Sequence, residues 1–298
     1  MKLGVTVPNN WGVEDPQQVL EVGLRAEELG YDSVWVMDHL FNTGYVRERL
    51  EDRPFYHPLT ILSHLSALTN RVALGTSVLV LPYHNPVELA KYAASLDQMS
   101  GGRVILGVGA GAMTEEFQAL GISMGERGSL TNESIAIMKE LWAQSNPSYH
   151  SRRWDFSELC FSPKPIQQPH IPLWIGGSSP GALRRAARVG DGWHPSELSP
   201  EEFSLGRQEI RDQAMEAGRD PDSLAWSVRV DVEVTTAPPS TRAPNRSRLA
   251  VDPQQIVAAV SAYQQAGAEH VVLALNSGDV PRLLNLMEDI AEKVLPRL

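Results

Sequence analysis

The chain has 298 residues, of which 26 are basic and 36 acidic, so its formal net charge is −10 at pH 7. This charge argues against a protein that grips nucleic-acid phosphates with a basic surface, and a hydrophobic content of 42% excludes a disordered chain. The single cysteine, Cys160, excludes an internal disulfide and a cysteine metal site, and we expect a small packed residue in a reducing compartment.

Strands and helices alternate along the whole chain. Short β-branched apolar runs predict strands, whereas apolar residues spaced three or four apart predict helices. The predicted strands are 2–8, 33–37, 71–80, 103–108, 171–176, 190–194, 224–234 and 269–275. The predicted helices are 15–30, 57–68, 86–99, 126–143, 179–189, 199–217, 252–266 and 279–293. A capping side chain precedes a proline at four of the helix starts, namely Asp15-Pro16, Asn85-Pro86, Ser199-Pro200 and Asp252-Pro253.

Alternation of this kind predicts a (β/α)8 barrel. A doubly wound sheet alternates in the same way, but no composition break or linker divides the chain, which favours one barrel domain over residues 1–298. Residues 144–170, rich in aromatic residues and proline, predict an ordered insertion. Residues 235–250, rich in Pro, Thr, Ser and Arg, predict a mobile loop placed to cover the active-site face.

The N-terminal segment resembles no targeting signal. After Met1 and Lys2 the apolar run ends at a turn near Pro8 and Asn9, which is too short for a signal peptide. No stretch approaches the ~20 apolar residues of a membrane span. We therefore expect a soluble cytoplasmic protein with neither a membrane nor a nucleic acid as partner.

A glycine-rich segment follows the fourth predicted strand. Residues 107–112 (GVGAGA) fit the G-x-G-x-x-G/A fingerprint of dinucleotide-binding folds. That fingerprint needs an acidic residue at a strand end about 20 positions on, but residues 127–133 lie in a helical pattern. A plain glycine turn and a turn whose amides approach an anion remain as alternatives.

A second glycine-rich segment lies between the fifth strand and its helix. Residues 177–181 (GSSPG) match the G-x-S-x-G elbow of hydrolases, with Ser179 as nucleophile and Asp191, Asp279, His194 and His270 as candidate partners. Residues 175–177 (IGG) just before it favour a phosphate cradle, because glycines admit an anion to the free N–H groups of a helix N-terminus. A plain turn is the third alternative.

The pair Asp38-His39 ends the second strand, at the edge where barrels keep their active sites. We consider His39 a candidate functional residue for this reason. The other histidines have no spacing typical of metal ligands, so no metal site is predicted. Arg47, Arg49 and Arg53 in the following loop could meet an anionic substrate or cofactor tail, but a solvated loop is favoured.

Five segments together resemble the luciferase-like monooxygenase superfamily, and specifically its branch of oxidoreductases that use the deazaflavin coenzyme F420. They are residues 35–41 (WVMDHLF), 74–79 (LGTSVL), 101–109 (GGRVILGVG), 172–177 (PLWIGG) and 190–193 (GDGW). The resemblance is strong over residues 1–195 and weak beyond them. Flavin-using relatives share much of this pattern, so it indicates the superfamily more specifically than the cofactor.

The resemblance implies a TIM barrel with insertions that holds the deazaflavin ring in its mouth. His39 matches the family histidine that stabilises the anionic reduced ring or exchanges a proton, and the bond between Ser77 and Val78 matches a non-proline cis peptide behind the ring. Backbone amides of residues 175–178, with Gly109 nearby, are expected to hold the cofactor phosphate. The implied cofactor-binding residues are Asp38, His39, Thr76, Ser77, Val78, Gly109, Gly111, Ile175, Gly176, Gly177 and Ser178.

The chain departs from the glucose-6-phosphate dehydrogenases of this family at three points. Ala112 stands where those enzymes have an acidic residue, their tryptophan just beyond the histidine is missing from residues 40–43, and His194 follows Gly192-Trp193 where they have a lysine. These departures argue against a phosphosugar substrate.

We therefore expect an oxidoreductase that transfers a hydride between F420 and a small organic substrate, with His39 balancing charge at the ring. The alternatives are a monooxygenase of the same fold that uses reduced FMN and O2, and a non-catalytic barrel that binds flavin or no cofactor. A homodimer or higher homo-oligomer is expected from the resemblance.

Overall fold

The computed structural model describes residues 1–234 and 248–298 of the chain. Most of the predicted mobile loop, 235–250, therefore lies outside the described residues. The strands are β1 (Lys2–Thr6), β2 (Ser33–Val36), β3 (Ala73–Thr76), β4 (Leu79–Val80), β5 (Val104–Gly109), β6 (Tyr149–His150), β7 (Asp155–Phe156), β8 (Leu173–Ile175), β9 (Gly192–Trp193), β10 (Ala225–Glu233), β11 (Arg248–Ala250) and β12 (His270–Leu275).

These strands form a closed parallel barrel. Going round it, β1, β2, β3, β5, β8, β9, β10 and β12 are neighbours, and β12 pairs again with β1, where Lys2 lies opposite His270. Strand β4 continues the line of β3 along β5, whereas β6 and β7 form a separate antiparallel hairpin. The predicted (β/α)8 barrel is confirmed, and the doubly wound alternative is wrong because the sheet closes on itself.

Ten α-helices lie between the strands in the described residues. They are α1 (Pro16–Glu28), α2 (Gly44–Leu50), α3 (Pro58–Leu68), α4 (Pro86–Ser100), α5 (Thr114–Ala119), α6 (Arg127–Ala143), α7 (Pro180–Val189), α8 (Pro200–Glu216), α9 (Pro253–Gln265) and α10 (Val280–Lys293). The four predicted caps are confirmed, since Asp15, Asn85, Ser199 and Asp252 each accept a backbone N–H of the first turn. None of the helices in the described parts is long and apolar enough to cross a membrane.

Large aromatic rings fill the interior of the barrel. Trp35 of β2 stacks on Trp174 of β8, with ring centroids 5.5 Å apart, and on His194, with centroids 4.6 Å apart. Glycine is required beside them, because a Cβ on Gly75 would lie 2.3 Å from the Trp35 ring. The packed rings close the barrel from within, so ligands have access from the end where the strands finish.

The segment 144–170 packs against the outside of the barrel. Phe161 is buried, and Trp154 packs on the main core. The buried Asp97 carboxylate fixes the end of the segment by accepting hydrogen bonds from the N–H groups of Ile166 and Gln167. Cys160 is exposed here, so the expectation of a packed cysteine is wrong: the Phe161 side chain next to it is buried, whereas Leu159 is exposed like the thiol.

Candidate active site

The predicted site residues come together at one end of the barrel, which we call the barrel mouth and define as the end where the strands finish. Asp38 and His39 follow β2, residues 76–78 join β3 to β4, and Gly109 and Gly111 end and follow β5. Residues 175–178 end β8 and lead to α7. Since parallel strands finish at the same edge, four separate stretches of sequence meet there.

Two contacts connect these stretches directly. The Asp38 carboxylate accepts a hydrogen bond of 2.9 Å from the Val80 N–H, which ties the end of β2 to β4. The hydroxyl of Thr76 donates to the carbonyl of Gly107 at 2.8 Å, which ties the end of β3 to β5. The proton of the Thr76 hydroxyl is therefore used in a hydrogen bond between two strands.

The peptide bond between Ser77 and Val78 is cis, as the family resemblance implies. The Val78 side chain lies among three glycines: a Cβ on Gly109 or on Gly176 would come within 2.8 Å of a Val78 methyl, and one on Gly107 within 3.3 Å. Packing against Val78 thus requires glycine at positions 109 and 176, whereas at position 107 a Cβ would collide with the carbonyl oxygen of Thr76. Gly111 has a positive φ of +77°, and a Cβ there would lie 2.6 Å from Val80.

His39 is held at both ring nitrogens. Its Nδ1 lies 2.7 Å from a Glu116 carboxylate oxygen, and its Nε2 lies 2.8 Å from the hydroxyl of Tyr45. Because a carboxylate can only accept, Nδ1 carries the proton and donates to Glu116. In the neutral ring Nε2 is then the free base, and the Tyr45 hydroxyl donates to it.

Glu116 is fully buried on α5 and accepts further hydrogen bonds from the N–H groups of Leu40 and Phe41 and from the hydroxyl of Tyr83. Burial alone raises the pKa of this carboxyl, but the hydrogen bonds from His39, Leu40 and Tyr83 outweigh burial and hold the pKa below its usual range. Glu116 is therefore ionised at neutral pH. The same contact contributes to raising the pKa of the Tyr83 hydroxyl, after burial.

Sequence reasoning missed Glu116. It sought an acidic residue directly after the glycines of β5 and found Ala112, whereas the acid lies four positions further along, on a helix of six residues. The adjacent pair Glu115-Glu116 carries no sequence signal that separates its members, and only the structure shows that Glu115 is exposed and Glu116 is buried. The residue that contacts His39 is 77 positions away in sequence, so local patterns could not connect them.

Asp38 forms a second carboxylate–histidine pair beside the first. Its Oδ2 lies 2.8 Å from Nε2 of His84, which follows β4. Its Oδ1 is buried and has no hydrogen-bond partner among the described residues. An unpartnered carboxylate oxygen in a buried position costs free energy unless a ligand or water completes it, so it marks a polar binding position.

Ser77 forms a hydrogen bond with a histidine in the barrel interior. Its hydroxyl lies 2.9 Å from Nε2 of His194, whose Nδ1 lies 2.8 Å from the hydroxyl of Ser227. Burial, with the charges of Arg229 and His270, holds the pKa of His194 well below its usual range, so the ring stays neutral. His194 was a candidate triad member in the sequence, but the structure gives it two hydroxyl partners and no carboxylate.

The turn before α7 has the form of an anion cradle. Gly177 adopts a φ of +87°, and its carbonyl accepts a hydrogen bond of 2.9 Å from the Trp193 indole. The N–H groups of Gly177 and Ser178 have no acceptor among the described residues. The Gly176 N–H is bonded to Val108, and the Ile175 carbonyl accepts from the N–H of His194, so both belong to the scaffold.

The hydrolase alternative fails at Ser179. Its side chain caps α7 by accepting the N–H of Ala182 at 3.3 Å. Of the arginines that follow on α7, Arg184 and Arg188 are exposed. Arg185 reaches back to α6, where it donates to Asn132 at 2.7 Å. Within the residues that the structure describes, no three His, Cys, Asp or Glu side chains are grouped to hold a metal ion.

The loop after β2 is not the solvated coil that was favoured from the sequence. Residues 44–50 form helix α2, and Arg49 on it is half-buried, with its guanidinium 4.3 Å from the ring centroid of Trp11. Arg47 and Arg53 are exposed. Tyr45, the partner of His39, comes from the same helix, which was too short for the helical pattern to show.

Comparison with known proteins agrees with this geometry. A family model described as luciferase-like monooxygenase matches residues 1–268. The F420-dependent glucose-6-phosphate dehydrogenase of Amycolatopsis mediterranei is 28% identical over 95% of this chain and 95% of its own length. The protein of that name from Microbacterium testaceum is 28% identical over 99% of this chain and 98% of its own.

Solved structures share the fold. An F420-dependent secondary alcohol dehydrogenase in complex with an F420–acetone adduct has a TM-score of 0.82 at 21% identity and covers 99% of this chain and 98% of its own. Monooxygenase RslO1 from Streptomyces bottropensis has a TM-score of 0.80 at 21% identity, covering 99% of both chains. At this identity the likeness concerns the fold.

Proposed function

The chain belongs to the luciferase-like monooxygenase family, and we propose that within it the protein is an oxidoreductase that transfers a hydride between coenzyme F420 and a small organic substrate. Relatives whose names include F420-dependent dehydrogenase activity, aligned along nearly the whole chain, support this proposal. The observation that carries it is the His39 ring in the barrel mouth, fixed at Nδ1 by a buried ionised carboxylate.

The described residues fit such a cofactor. A planar ring with polar edges needs a firm apolar support and polar partners, and Val78 and the unpartnered Oδ1 of Asp38 offer both. A phosphate needs backbone N–H groups at a helix start, which Gly177 and Ser178 offer before α7. We propose that Asp38, His39, Ser77 and Val78 hold the ring.

The remaining proposed cofactor contacts lie along β5 and β8. The path of the cofactor is shaped by four residues, Gly109, Gly111, Ile175 and Gly176. Side chains at the three glycines would collide with Val78 or Val80. The backbone groups of Ile175 and Gly176 are hydrogen-bonded to the scaffold. Thr76 acts by holding β3 to β5. The phosphate contacts come from Gly177 and Ser178.

When bound, F420 supplies the ring carbon that accepts or donates the hydride. The chain supplies charge balance and proton exchange beside it. His39 presents Nε2 as the base, because Glu116 keeps the proton on Nδ1. When Nε2 takes a proton, the imidazolium lies 2.7 Å from the Glu116 carboxylate, which stabilises the positive charge. Negative charge that develops at the mouth then has a cation beside it.

Titration of the purified full chain with oxidised F420 and, separately, with FMN tests the proposal. We expect saturable binding of F420, followed by its fluorescence, and no binding of FMN at the same concentrations. Tight FMN binding without F420 binding would instead assign the protein to the flavin-using monooxygenases. If neither cofactor binds at high micromolar concentration, the non-catalytic barrel is correct.

We further propose that the whole chain, residues 1–298, acts as one barrel domain, works in the cytoplasm and forms a homodimer or higher homo-oligomer. The last point rests on the family resemblance. Light scattering of the purified protein checks it, and a monomer at micromolar concentration contradicts it.

A further inference from the structure

Unpartnered polar atoms gather at the barrel mouth. Eight buried side-chain N or O atoms in the described residues have no hydrogen-bond partner, and six of them belong to residues of the mouth. Buried polar groups in folded proteins are nearly always paired, so a group of this kind indicates a polar ligand. The six residues are Asn10, Trp11, Asp38, Thr43, Arg49 and Arg229.

Arg229 extends from β10 across the barrel mouth to the ends of β2 and β3. It donates to the carbonyl of Ser77 at 3.3 Å and lies 3.9 Å from the sulfur of Met37. The nearest carboxylate oxygens, on Glu197 and Asp231, are both 3.8 Å away, and Nε has no hydrogen-bond partner among the described residues. A guanidinium that binds a carboxylate in its preferred way does so at about 2.7–2.9 Å. Arg229 is therefore held in place, but its guanidinium lacks a closely paired carboxylate and its Nε–H lacks an acceptor in the described residues.

Arg49 approaches the same place from α2. One of its NH2 groups donates to the carbonyl of Asn10 at 2.9 Å, and Nε has no partner in the described parts of the chain. The side-chain amide of Asn10 donates to the sulfur of Met37, which Arg229 also contacts. Burial lowers the pKa of Arg49; Tyr45 and Asp231 raise it, and the positive charge of Arg229 lowers it.

The carboxylates near this pair are too far away for close pairing. Glu197 and Asp231 are both 3.8 Å from the guanidinium of Arg229. Two half-buried cations beside each other cost free energy that a bound anion offsets.

We propose that Arg49 and Arg229 bind the carboxylate of an organic acid substrate, through the unpartnered edges of their guanidinium groups. This inference rests on the proposed function only in naming the bound acid as the substrate. The planar forks suit the planar carboxylate, and Trp11 supports the Arg49 guanidinium by stacking beneath it. The two arginines would therefore select a negatively charged substrate and hold it beside Ser77.

Binding of propionate and of its uncharged amide, propionamide, to the full chain without F420 tests this inference by calorimetry. We expect propionate to bind and propionamide not to bind. Arg49→Gln and Arg229→Gln should each weaken propionate binding about tenfold or more, since each removes a charged hydrogen-bonding partner. Arg47→Gln, on the exposed face of α2, should bind as the wild type does.

Three results of these binding experiments would overturn the proposal, and a fourth comes from F420 titrations. The three are equal binding of propionate and propionamide, wild-type affinity for propionate in both variants, and tighter binding of inorganic phosphate than of propionate in competition. If Arg229→Gln does not fold, as checked by circular dichroism, Arg49→Gln and Arg229→Lys carry the test. Parallel F420 titrations separate the sources of the anion. If the variants lose as much affinity for F420 as for propionate, the arginines bind the cofactor and the proposal is overturned. If the protein binds propionate but no F420, only the proposed function is refuted.

Discussion

Two histidines at opposite depths of the barrel have opposite surroundings. His39, at the mouth, lies between the carboxylate of Glu116 and the hydroxyl of Tyr45, with part of its ring accessible. His194 is fully enclosed, stacked on Trp35, and bonded to two serine hydroxyls. The mouth therefore has a histidine with a carboxylate at one ring nitrogen, whereas burial without a carboxylate keeps the interior histidine neutral.

The largest effect is expected from His39→Ala. Removal of a proton-exchanging side chain typically costs about 10²- to 10⁴-fold in rate, and because the ring lies at the mouth the fold should survive. The rate is measured as loss of the visible absorbance of F420 with a substrate that the wild type oxidises. His64→Ala, which removes an exposed histidine on α3, serves as the matched control, and equal rates in the two variants would remove His39 from the chemistry.

A smaller loss is expected from Glu116→Gln. The amide keeps the shape of the side chain but takes away the charge that stabilises the imidazolium, which should slow turnover about 10- to 100-fold. Because Glu116 acts through His39, the loss should appear in kcat while the affinity for F420 stays unchanged. Glu115→Gln, one position away and exposed, should leave both quantities as they are; a matching loss of F420 affinity in Glu116→Gln alone would point to a structural role.

The smallest effect is expected in the free energy of unfolding at acidic pH, and it comes from the interior histidines. Burial, with the charge of Lys2, lowers the pKa of His270 from 6.5 to about 3. Between these values the unfolded chain binds a proton that the folded chain does not, so the free energy of unfolding falls as pH decreases below 6.5. For His270 this amounts to about 2 kcal/mol at pH 5, and the lowered pKa of His194 acts in the same direction.

Urea unfolding at pH 7.5 and pH 5 measures this effect. His270→Gln should lose less stability on acidification than the wild type, because glutamine has no proton to gain. His64→Gln should lose as much as the wild type, since its ring is exposed in both states. An identical loss in His270→Gln would mean that the interior ring is not kept neutral.

Much of the barrel and part of the mouth could be predicted from the sequence. The strands and long helices have strong periodicity, and the motif around Asp38 and His39 is local, so both could be read along the chain. Helices α2 and α5, of seven and six residues, are too short to give a periodic pattern. They carry Tyr45, Arg49 and Glu116, which define the chemistry of the mouth, and their contacts with His39 and Arg229 arise only when the barrel closes.

The glycines show that one pattern can have two causes. Gly109 and Gly176 are predicted to lie near the cofactor phosphate, and in the structure they also make room for the Val78 side chain. Within residues 175–178, the N–H groups of Gly177 and Ser178 have no acceptor in the described part of the chain, whereas that of Gly176 is bonded to Val108. A glycine pattern shows that something approaches the backbone closely, and the fold decides what.

The most direct test is ¹⁵N NMR of the histidine rings in the wild-type protein and in Glu116→Gln. The contact with Glu116 requires that neutral His39 carries its proton on Nδ1, and burial requires that His194 is neutral. A neutral His39 protonated on Nε2, or a protonated His194 at neutral pH, would contradict the difference between the mouth and the interior from which the proposed chemistry follows.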